Sequence, residues 1–439
     1  MGGYNLFRGE HASYNPILMN QILKEEWQWD GVVISDWGAV HDTHTAIIGG
    51  LDMEFGSWTD GLTEGTSNAY DNYWLANPYL KGIKEGIYTD KELNEKVRRV
   101  LRLTFRTAMN NDRPWGSMVS DAHKTACRKI GEEGIVLLQN NANLLPINLS
   151  KVKRIAVIGE NAIKMMTVGG GSSSLKVKYE VTPLEGLKKR IGKQAEIIYA
   201  RGYVGDPTGE YNGVKTGQNL KDDRSPKELR TEAFQVASNA DIVLFIGGLN
   251  KSEYQDCEGT DRKTMDLPYN QNELIMDLLQ VNKKLVVINI SGTGVAMPWK
   301  NHVSTILQAW YLGSETGNAL ASILMGDVNP SGKLPYTYYA CPDQCGAHKL
   351  GEYPGHKGMD VLGNEVYDIP YNEGLFVGYR FIDKNKLKPN FPFGHGLSYT
   401  TFEYGKAKVN SKAIEKSEKL YITIPITNTG NRAGAEVVQ

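Results

Sequence analysis

The sequence predicts an α/β fold, because short apolar runs rich in β-branched residues alternate with helical segments along most of the chain. Ile155–Ile158 and Ile242–Gly248 are continuous apolar runs of the kind found in strands buried on both faces. Further strands are predicted at 195–199, 285–289 and 305–310, with helical stretches leading to 233 and near 270–281 and 315–325. This alternation is typical of a layered domain with a mostly parallel sheet, which we place at residues 121–340.

The N-terminal part shows the same alternation on a smaller scale. Asn15 followed by Pro16 predicts a helix N-terminus. Val32–Ile34 then predicts a short buried strand, and a second strand is predicted to end at Leu51–Phe55. Two more helices are predicted, one from Thr89 to about Ala108 and one from Asp121 to about Gln139.

Changes in composition divide the chain into segments. Residues 110–120 contain Asn, Asp, Pro and Gly and are predicted to be a linker after a first segment, 1–109. Beyond the 121–340 domain, Pro, Gly and Tyr dominate a connecting segment at 341–400. Residues 401–439 carry strand and turn signals and predict the start of a β-sandwich with too few strands to close.

Composition excludes several classes of function. The 49 basic and 50 acidic residues give a formal net charge of −1, so the basic excess of a nucleic-acid-binding protein is missing. No run of about 18 apolar residues predicts a membrane span. Four cysteines are too few for a disulfide scaffold, although Cys341 and Cys345 are close enough in sequence for a local bridge. No metal or organic cofactor is implied.

Asp36 is the first candidate for a catalytic role. It directly follows the predicted strand Val32–Ile34, and in α/β barrels this end of a strand carries the chemistry. Trp37 beside it would offer an indole face on which a sugar ring stacks. The alternative is that Asp36 is the N-cap of the next helix.

An acidic loop supplies the second candidate. Residues 250–262 follow the predicted strand Ile242–Gly248 and contain Glu253, Asp256, Glu258 and Asp261. Glycosidases use a pair of carboxylates, and Asp36 with an acid from this loop would form one. The alternative is a solvated acidic loop, in which Asp261 and Arg262 form a structural ion pair.

Two weaker patterns point elsewhere. Gly159 with the glycine-rich segment 169–172 is reminiscent of a nucleotide-binding loop, but neither G-x-G-x-x-G nor G-K-[ST] is present, so a substrate-facing or structural loop is favoured. His41 and His44 suggest a metal, but no third ligand pattern accompanies them and a polar loop is favoured.

In order along the chain, these motifs resemble those of the family-3 glycoside hydrolases, the β-glucosidase and β-xylosidase group. Asp30-Gly31-Val32-Val33-Ile34-Ser35-Asp36-Trp37-Gly38 is similar to that family's nucleophile signature. The other matching segments are Tyr4-Asn5 with Gly9, 134–146, 169–172, 258–262, 326–335, 371–380 and 393–400. Each motif is modest, but the ordered set covers essentially the whole chain.

The resemblance implies a retaining mechanism. Asp36 would be the nucleophile, and Glu258 would be the general acid/base, with Glu253 as its alternative or as a substrate-binding residue. Tyr4 would hydrogen-bond the Asp36 carboxylate, and Trp37 would border the sugar. Retention would require the two catalytic carboxyl groups to lie about 5–5.5 Å apart.

The resemblance also implies a fold and a substrate. The first segment, 1–109, would be the C-terminal part of a (β/α)8 barrel, 121–340 an α/β sandwich domain, and 401–439 an incomplete fibronectin type III-like domain. Most of the barrel is missing, so the chain is expected to be a piece of a longer enzyme. That enzyme would remove terminal non-reducing β-D-glucosyl or β-xylosyl residues from an oligosaccharide or β-glycoside.

Two other functions remain open from the sequence. A non-catalytic carbohydrate-binding or interaction fragment is the first alternative, and a nucleotide-binding α/β enzyme is the second. The oligomeric state and the location also stay open, with a periplasmic or secreted protein favoured over a cytoplasmic one.

Overall fold

The chain divides into two compact units. The structure is a computed structural model that describes residues 1–55, 73–167, 169–174, 176–205, 210–211, 214–359, 363 and 365–438. One unit comprises residues 1–117 with 354–370, and the other comprises residues 118–353 with 371–439. The stretch at 56–68, whose Gly, Ser and Thr content predicts a loop, lies outside the described residues.

The first unit contains mainly helices. Its regular elements are β1 (Leu6–Phe7) antiparallel to β2 (Glu10–His11), a π-type helix at Ile17–Glu26, α1 (Thr43–Ile48), α2 (Asn77–Lys84) and α3 (Asp90–Arg106). The Asn15 side chain accepts hydrogen bonds from the backbone N–H groups of Ile17 and Leu18, which is how it starts the π-type helix. The Thr89 hydroxyl accepts one from Lys91 N–H and caps α3.

The two strands predicted in this unit are reduced to a single parallel bridge between Ile34 and Met53. Ser35 N–H donates to the Met53 carbonyl, and Met53 N–H donates to the Val33 carbonyl, each at 3.0 Å. The ladder extends no further toward the N-terminus because the Asp52 carboxylate, not a strand carbonyl, accepts the Val33 N–H at 2.8 Å. The two segments that contain Ile34 and Met53 still run in the same direction, and their C-terminal ends lie side by side.

The second unit is built on a six-stranded sheet with the order β3-β10-β9-β8-β4-β5. All neighbouring strands are parallel except β3, which is antiparallel to β10. Its strands are β3 (Val136–Asn140), β4 (Arg154–Ile158), β5 (Glu196–Ala200), β8 (Ile242–Gly248), β9 (Leu285–Ile290) and β10 (Thr305–Gln308), and a separate ribbon pairs β6 (Glu210–Tyr211) with β7 (Val214–Lys215). The prediction of an α/β fold with a mostly parallel sheet is confirmed.

Helices cover both faces of this sheet. The covering helices are α5 (Pro183–Ile191), α6 (Pro226–Ser238), α7 (Gln271–Val281) and α8 (Thr316–Met325). α4 (Asp121–Gly134) packs against α8, and the short α9 (Gly346–Lys349) follows later in the chain. Buried side chains of α6 and α7 form one core with the sheet, and those of α5 and α8 form the other. Burial on both faces explains why the central strands are continuous apolar runs.

The helix predicted from Asp121 to about Gln139 is too long. It ends at Gly134, and the following residues form the edge strand β3. Ile135 to Leu138 are fully buried and pair with β10, so tertiary burial of an apolar run overrides the helical pattern that precedes it.

The remaining elements are short. A hairpin of β11 (His356–Met359) and β12 (Glu365–Asp368) belongs to the first unit, although it follows α9 in sequence. The second unit continues with α10 (Tyr379–Lys384), β13 (Phe402–Tyr404), β14 (Lys408–Val409), β15 (Ile422–Thr423) and β16 (Ile426–Asn428). β13 pairs with β16 and β14 with β15, both antiparallel. The fibronectin-like assignment of this end stays a prediction.

Three further observations concern the described residues as a whole. None of their helices has the length and apolar character needed to cross a bilayer. No three of their His, Cys, Asp and Glu side chains gather into a group suited to a metal ion. All four cysteines are free, so Cys341 and Cys345 do not form the local bridge that their spacing would permit.

Lys96 of α3 is buried in the first unit at the C-terminal end of α1. Its Nζ donates to the carbonyl oxygens of Ile47 at 3.0 Å and of Leu51. Burial lowers the pKa of Lys96 from 10.5 to about 8, and the charge of Asp52 only partly opposes this effect. The ammonium thus satisfies carbonyls that α1 and the following turn leave unpaired.

The first prediction concerns the pH dependence of stability. Between pH 8 and 10.5 the unfolded chain holds a proton on Lys96 that the folded chain releases, so the free energy of unfolding should rise with pH across this range. The expected contribution is about 3 kcal/mol in total. Urea unfolding at several pH values measures it, and Lys96→Met is the control that should remove this part of the slope. Equal slopes for both proteins would contradict the prediction.

Candidate active site

Asp36 lies two residues after Ile34, at the C-terminal end of the first of the two bridged segments. Its side chain is half-buried, and its Oδ1 accepts a hydrogen bond from the backbone N–H of Trp37 at 2.8 Å. Trp37 is 58% exposed, and its ring stacks on Phe55 with centroids 4.7 Å apart. A carboxylate and an exposed indole that packs on Phe55 therefore stand side by side.

The alternative role for Asp36, as a helix N-cap, is wrong. The helix that follows is α1, and its cap is Asp42, whose Oδ1 accepts from the Thr45 N–H at 2.7 Å. Asp36 is therefore not occupied in starting a helix.

Ser35 fixes the segment that carries Asp36. Its side chain is fully buried, and its Oγ accepts from the Phe55 N–H at 2.8 Å, which joins the ends of the two segments. The N-terminal stretch also runs beside them, because the Gly2 N–H donates to the Ile34 carbonyl at 2.7 Å. Tyr4 follows on this stretch and is 55% exposed.

Glu54 is a residue at this edge that the sequence analysis did not single out. Its carboxylate accepts from the N–H groups of Leu75 at 2.7 Å and Trp74 at 3.3 Å. Burial raises the pKa of the Glu54 carboxyl, while these two hydrogen bonds lower it by a smaller amount. Its place at the end of the predicted strand Leu51–Phe55 is the signal that would have marked it.

In the second unit, Glu258 lies in the loop that follows β8 and contacts the glycine-rich loop that follows β4. The Glu258 N–H donates to the Gly170 carbonyl at 2.6 Å, and its carboxylate accepts from the Ser172 N–H. A Cβ on Gly171 would overlap with the Glu258 side chain, and one on Gly170 would lie 2.9 Å from the Cys257 Cα. The glycines therefore allow the close approach of the Glu258 loop, a structural role for the pattern considered above as a nucleotide loop.

A cavity of about 870 Å³ opens between these loops at the carboxyl edge of the sheet. Its charged wall residues are Lys251, Asp256, Glu258, Asp261, Arg262 and Lys263, and its tyrosines are Tyr336, Tyr339 and Tyr353. Glu253 is exposed and is not part of this wall. Of the two glutamates considered as acid/base in this loop, only Glu258 lines the cavity.

The ion pair expected between Asp261 and Arg262 is replaced by other contacts. Arg262 Nη2 donates to the Gly294 carbonyl at 2.6 Å, and Asp261 accepts the hydroxyl of Tyr353. Neighbouring residues of opposite charge thus bind the loop to two separate segments of the second unit instead of to each other.

His41 and His44 are engaged in ring contacts within the first unit. His41 stacks on His11 with centroids 4.1 Å apart, and His44 stacks on Tyr88 at 5.9 Å. The interpretation of 41–44 as a polar loop stays a prediction.

Comparison with known proteins identifies the family. Residues 135–399 match the glycosyl hydrolase family 3 C-terminal domain, which is more than half of the chain. The chain belongs to glycoside hydrolase family 3. The whole chain also aligns with 58% of the length of the β-glucosidase BoGH3A of Bacteroides ovatus, at 45% identity. The resemblance inferred from the motifs is therefore confirmed.

Solved structures of β-glucosidases share the fold. The GH3 β-glucosidase of Bifidobacterium adolescentis matches with a TM-score of 0.78 and 29% identity, over 98% of this chain and 56% of that one. DesR, a β-glucosidase of Streptomyces venezuelae in complex with D-glucose, matches with a TM-score of 0.82 and 25% identity, over 98% and 65%. The chain thus spans somewhat more than half of the length of these family-3 proteins.

The second prediction tests the close approach of the two loops in the second unit. Gly171→Ala should displace Glu258 and break the hydrogen bond from the Ser172 N–H, because no space exists for the added methyl group. Amide exchange of Ser172 and Glu258 should then accelerate by about tenfold or more, as the loss of one or two hydrogen bonds implies.

Gly134→Ala is the matched control, since a Cβ there meets nothing within 4 Å. Unchanged protection at Ser172 and Glu258 in Gly171→Ala would show that the loops tolerate a side chain and that their approach is not limited by the glycines.

Proposed function

We propose that this chain carries the catalytic carboxylates of a retaining β-glucosidase, which releases the terminal non-reducing β-D-glucosyl residue of an oligosaccharide or β-glycoside. The observation that carries the proposal is the alignment of the whole chain, at 45% identity, with a protein named a β-glucosidase. The complex of DesR with D-glucose also favours a glucosyl over a xylosyl unit.

Asp36 acts as the nucleophile in this proposal. Its carboxylate attacks the anomeric carbon, the bond to the leaving-group oxygen breaks, and an ester between Asp36 and the sugar forms. The backbone N–H of Trp37 orients the carboxylate through its hydrogen bond to Oδ1. The exposed Trp37 ring offers the sugar a stacking surface. Tyr4 supplies a further hydrogen bond to the carboxylate.

Glu258 acts as the general acid/base. It gives its proton to the departing oxygen in the first step, and in the second step it removes a proton from the water that attacks the ester. Its position in the wall of the cavity supports this choice over Glu253, which lies outside that wall and is left as a substrate-binding residue. The double displacement requires the two carboxyl groups to be about 5–5.5 Å apart in the working enzyme.

The domain arrangement that accompanies this function is also a proposal. Residues 1–109 would be the last part of a (β/α)8 barrel, joined through 110–120 to the α/β sandwich domain at 121–340. The segment 341–400 would connect that domain to a fibronectin type III-like domain that begins at 401. The parallel bridge that ends beside Asp36 supports the barrel assignment, because barrel chemistry sits at this end of the strands.

The third prediction identifies both carboxylates chemically. Incubating the intact protein with 2,4-dinitrophenyl 2-deoxy-2-fluoro-β-D-glucoside should trap the ester on the peptide that contains Asp36, as read by mass spectrometry. Glu258→Ala should lower turnover of alkyl β-glucosides by about 10²–10⁴-fold. Added azide should restore turnover of activated aryl glucosides and yield β-glucosyl azide, since the acid/base is then absent while Asp36 still forms the ester.

Glu403→Gln, an exposed change in β13, is the control and should behave like the parent protein. Label on a peptide other than that of Asp36 would overturn the nucleophile assignment. Azide rescue in Glu253→Ala instead of Glu258→Ala would transfer the acid/base role to Glu253.

A further inference from the structure

We propose that Asp256 is a positioning residue that holds Glu258 in place for proton transfer to the leaving group. This inference rests on the proposed function, because it assigns Asp256 a role that acts through Glu258. Asp256 precedes Glu258 by two residues in the loop that follows β8, and both line the same cavity.

Three hydrogen bonds converge on the Asp256 carboxylate. Its Oδ2 accepts from the Gly292 N–H at 2.7 Å and from the Tyr311 hydroxyl at 2.8 Å. Its Oδ1 accepts from the Thr293 hydroxyl at 2.7 Å. Bonds of this length to an ionised acceptor are among the stronger hydrogen bonds in proteins.

These partners come from loops that follow neighbouring strands. Gly292 and Thr293 follow β9, Tyr311 follows β10, and Asp256 itself follows β8. The three strands lie side by side in the parallel sheet, so one carboxylate ties together the segments at their carboxyl ends. These three strands are buried along their whole length, and Asp256 ties the Glu258 loop to the segments at their ends.

The loop that contains Glu258 has further contacts besides those of the Asp256 carboxylate. Asn250, at the start of the loop, and Gln255, directly before Asp256, both donate to the Tyr269 hydroxyl, from Asn250 Nδ2 at 3.3 Å and from Gln255 Nε2 at 2.6 Å. Arg262 binds Gly294 at the end of the loop. Within the loop, the Asp256 N–H donates to the Asn250 carbonyl at 3.1 Å, and Cys257 Sγ lies 3.0 Å from Thr260 Oγ1. The Asp256 carboxylate ties the stretch directly before Glu258 to the segments that follow β9 and β10, and its loss would remove that tie while the contacts with Tyr269, within the loop and with the glycine-rich loop remain.

Asp256→Asn and Asp256→Ala should differ in effect, because an asparagine side chain keeps hydrogen-bonding groups that alanine lacks. Asn at 256 keeps one oxygen for the Gly292 N–H and the Tyr311 hydroxyl, and its amide N–H can donate to the Thr293 hydroxyl, which rotates to accept it. Ala at 256 removes both acceptor oxygens and with them all three hydrogen bonds, and it leaves the Gly292 N–H without this partner. We therefore expect Asp256→Ala to have a large effect and Asp256→Asn a small one.

The test compares leaving groups that need protonation with one that does not. In the intact protein, Asp256→Ala should lower kcat/KM for methyl β-D-glucoside and cellobiose by about 10–100-fold, the size of effect expected when a catalytic group is displaced by about 1 Å. Hydrolysis of 2,4-dinitrophenyl β-D-glucoside, whose phenolate leaves without a proton, should have a first-step rate within about threefold of the parent. Azide should raise turnover of the activated substrate.

Two controls complete the experiment. Asp223→Asn changes an exposed aspartate away from the cavity and should leave both classes of substrate unaffected. Tyr311→Phe removes one donor to Asp256 and should give a smaller loss with the same dependence on the leaving group, which keeps the proposal testable if Asp256→Ala does not fold.

The outcomes separate this inference from the proposed function. Equal losses for both classes of substrate in Asp256→Ala and Tyr311→Phe, or no loss in either, would overturn the positioning role while Glu258→Ala still shows azide rescue. Absence of azide rescue in Glu258→Ala would instead overturn the proposed function itself.

Discussion

All strands of a parallel sheet end at the same edge, and the site in the second unit depends on this constraint. The loops after β4, β8 and β9 supply much of the cavity wall, through the glycine-rich segment, the acidic loop and residues 292–294, and residues between 336 and 353 complete it. Residues far apart in sequence meet there because their strands are neighbours or near neighbours in the sheet. The fully buried strands hold these loop origins in place, so the loops can carry polar groups without forming the core.

In the first unit, a single parallel bridge also brings the ends of two segments together. Ile34 and Met53 align two segments in parallel, and Asp36 and Glu54 follow at their ends. Because so few backbone pairs are made there, side chains take over part of the alignment: the Asp52 carboxylate accepts the Val33 N–H, and Ser35 Oγ accepts the Phe55 N–H. The segment that carries Asp36 is therefore fixed at both of its ends by side-chain hydrogen bonds.

Local sequence pattern was sufficient where an element is decided by its own residues. The strands β4, β8 and β9 are buried along most or all of their length and are mostly apolar, so their positions could be predicted almost to the residue. The helix after Asp121 was predicted too long because β3 becomes a strand only through its pairing with β10. That partner lies far along the chain and leaves no mark on the local helical pattern.

Site residues could be predicted where local sequence marks them, and could not where only contacts with distant parts of the chain distinguish them. Asp36 was found from its place directly after a strand, and the acidic loop from its charge, whereas the choice of Glu258 came from the family resemblance. Asp256 was one acid among several in that loop. What distinguishes it is contact with Gly292, Thr293 and Tyr311, which are 36, 37 and 55 residues away in sequence. Such long-range convergence cannot be read from periodicity or composition.

The two proposed catalytic carboxylates belong to different units, and each is supported by contacts within its own unit. Ser35 and Trp37 support Asp36, while Asp256 and the glycines at 170–171 support Glu258. A change in the support of Glu258 should therefore alter proton transfer without altering the attack by Asp36, provided that the second unit remains folded. In the proposed mechanism, this separation makes the dependence of the rate on the leaving group a direct report on the second unit, because attack on an activated glucoside would need the carboxylate of the first unit but no proton from the second.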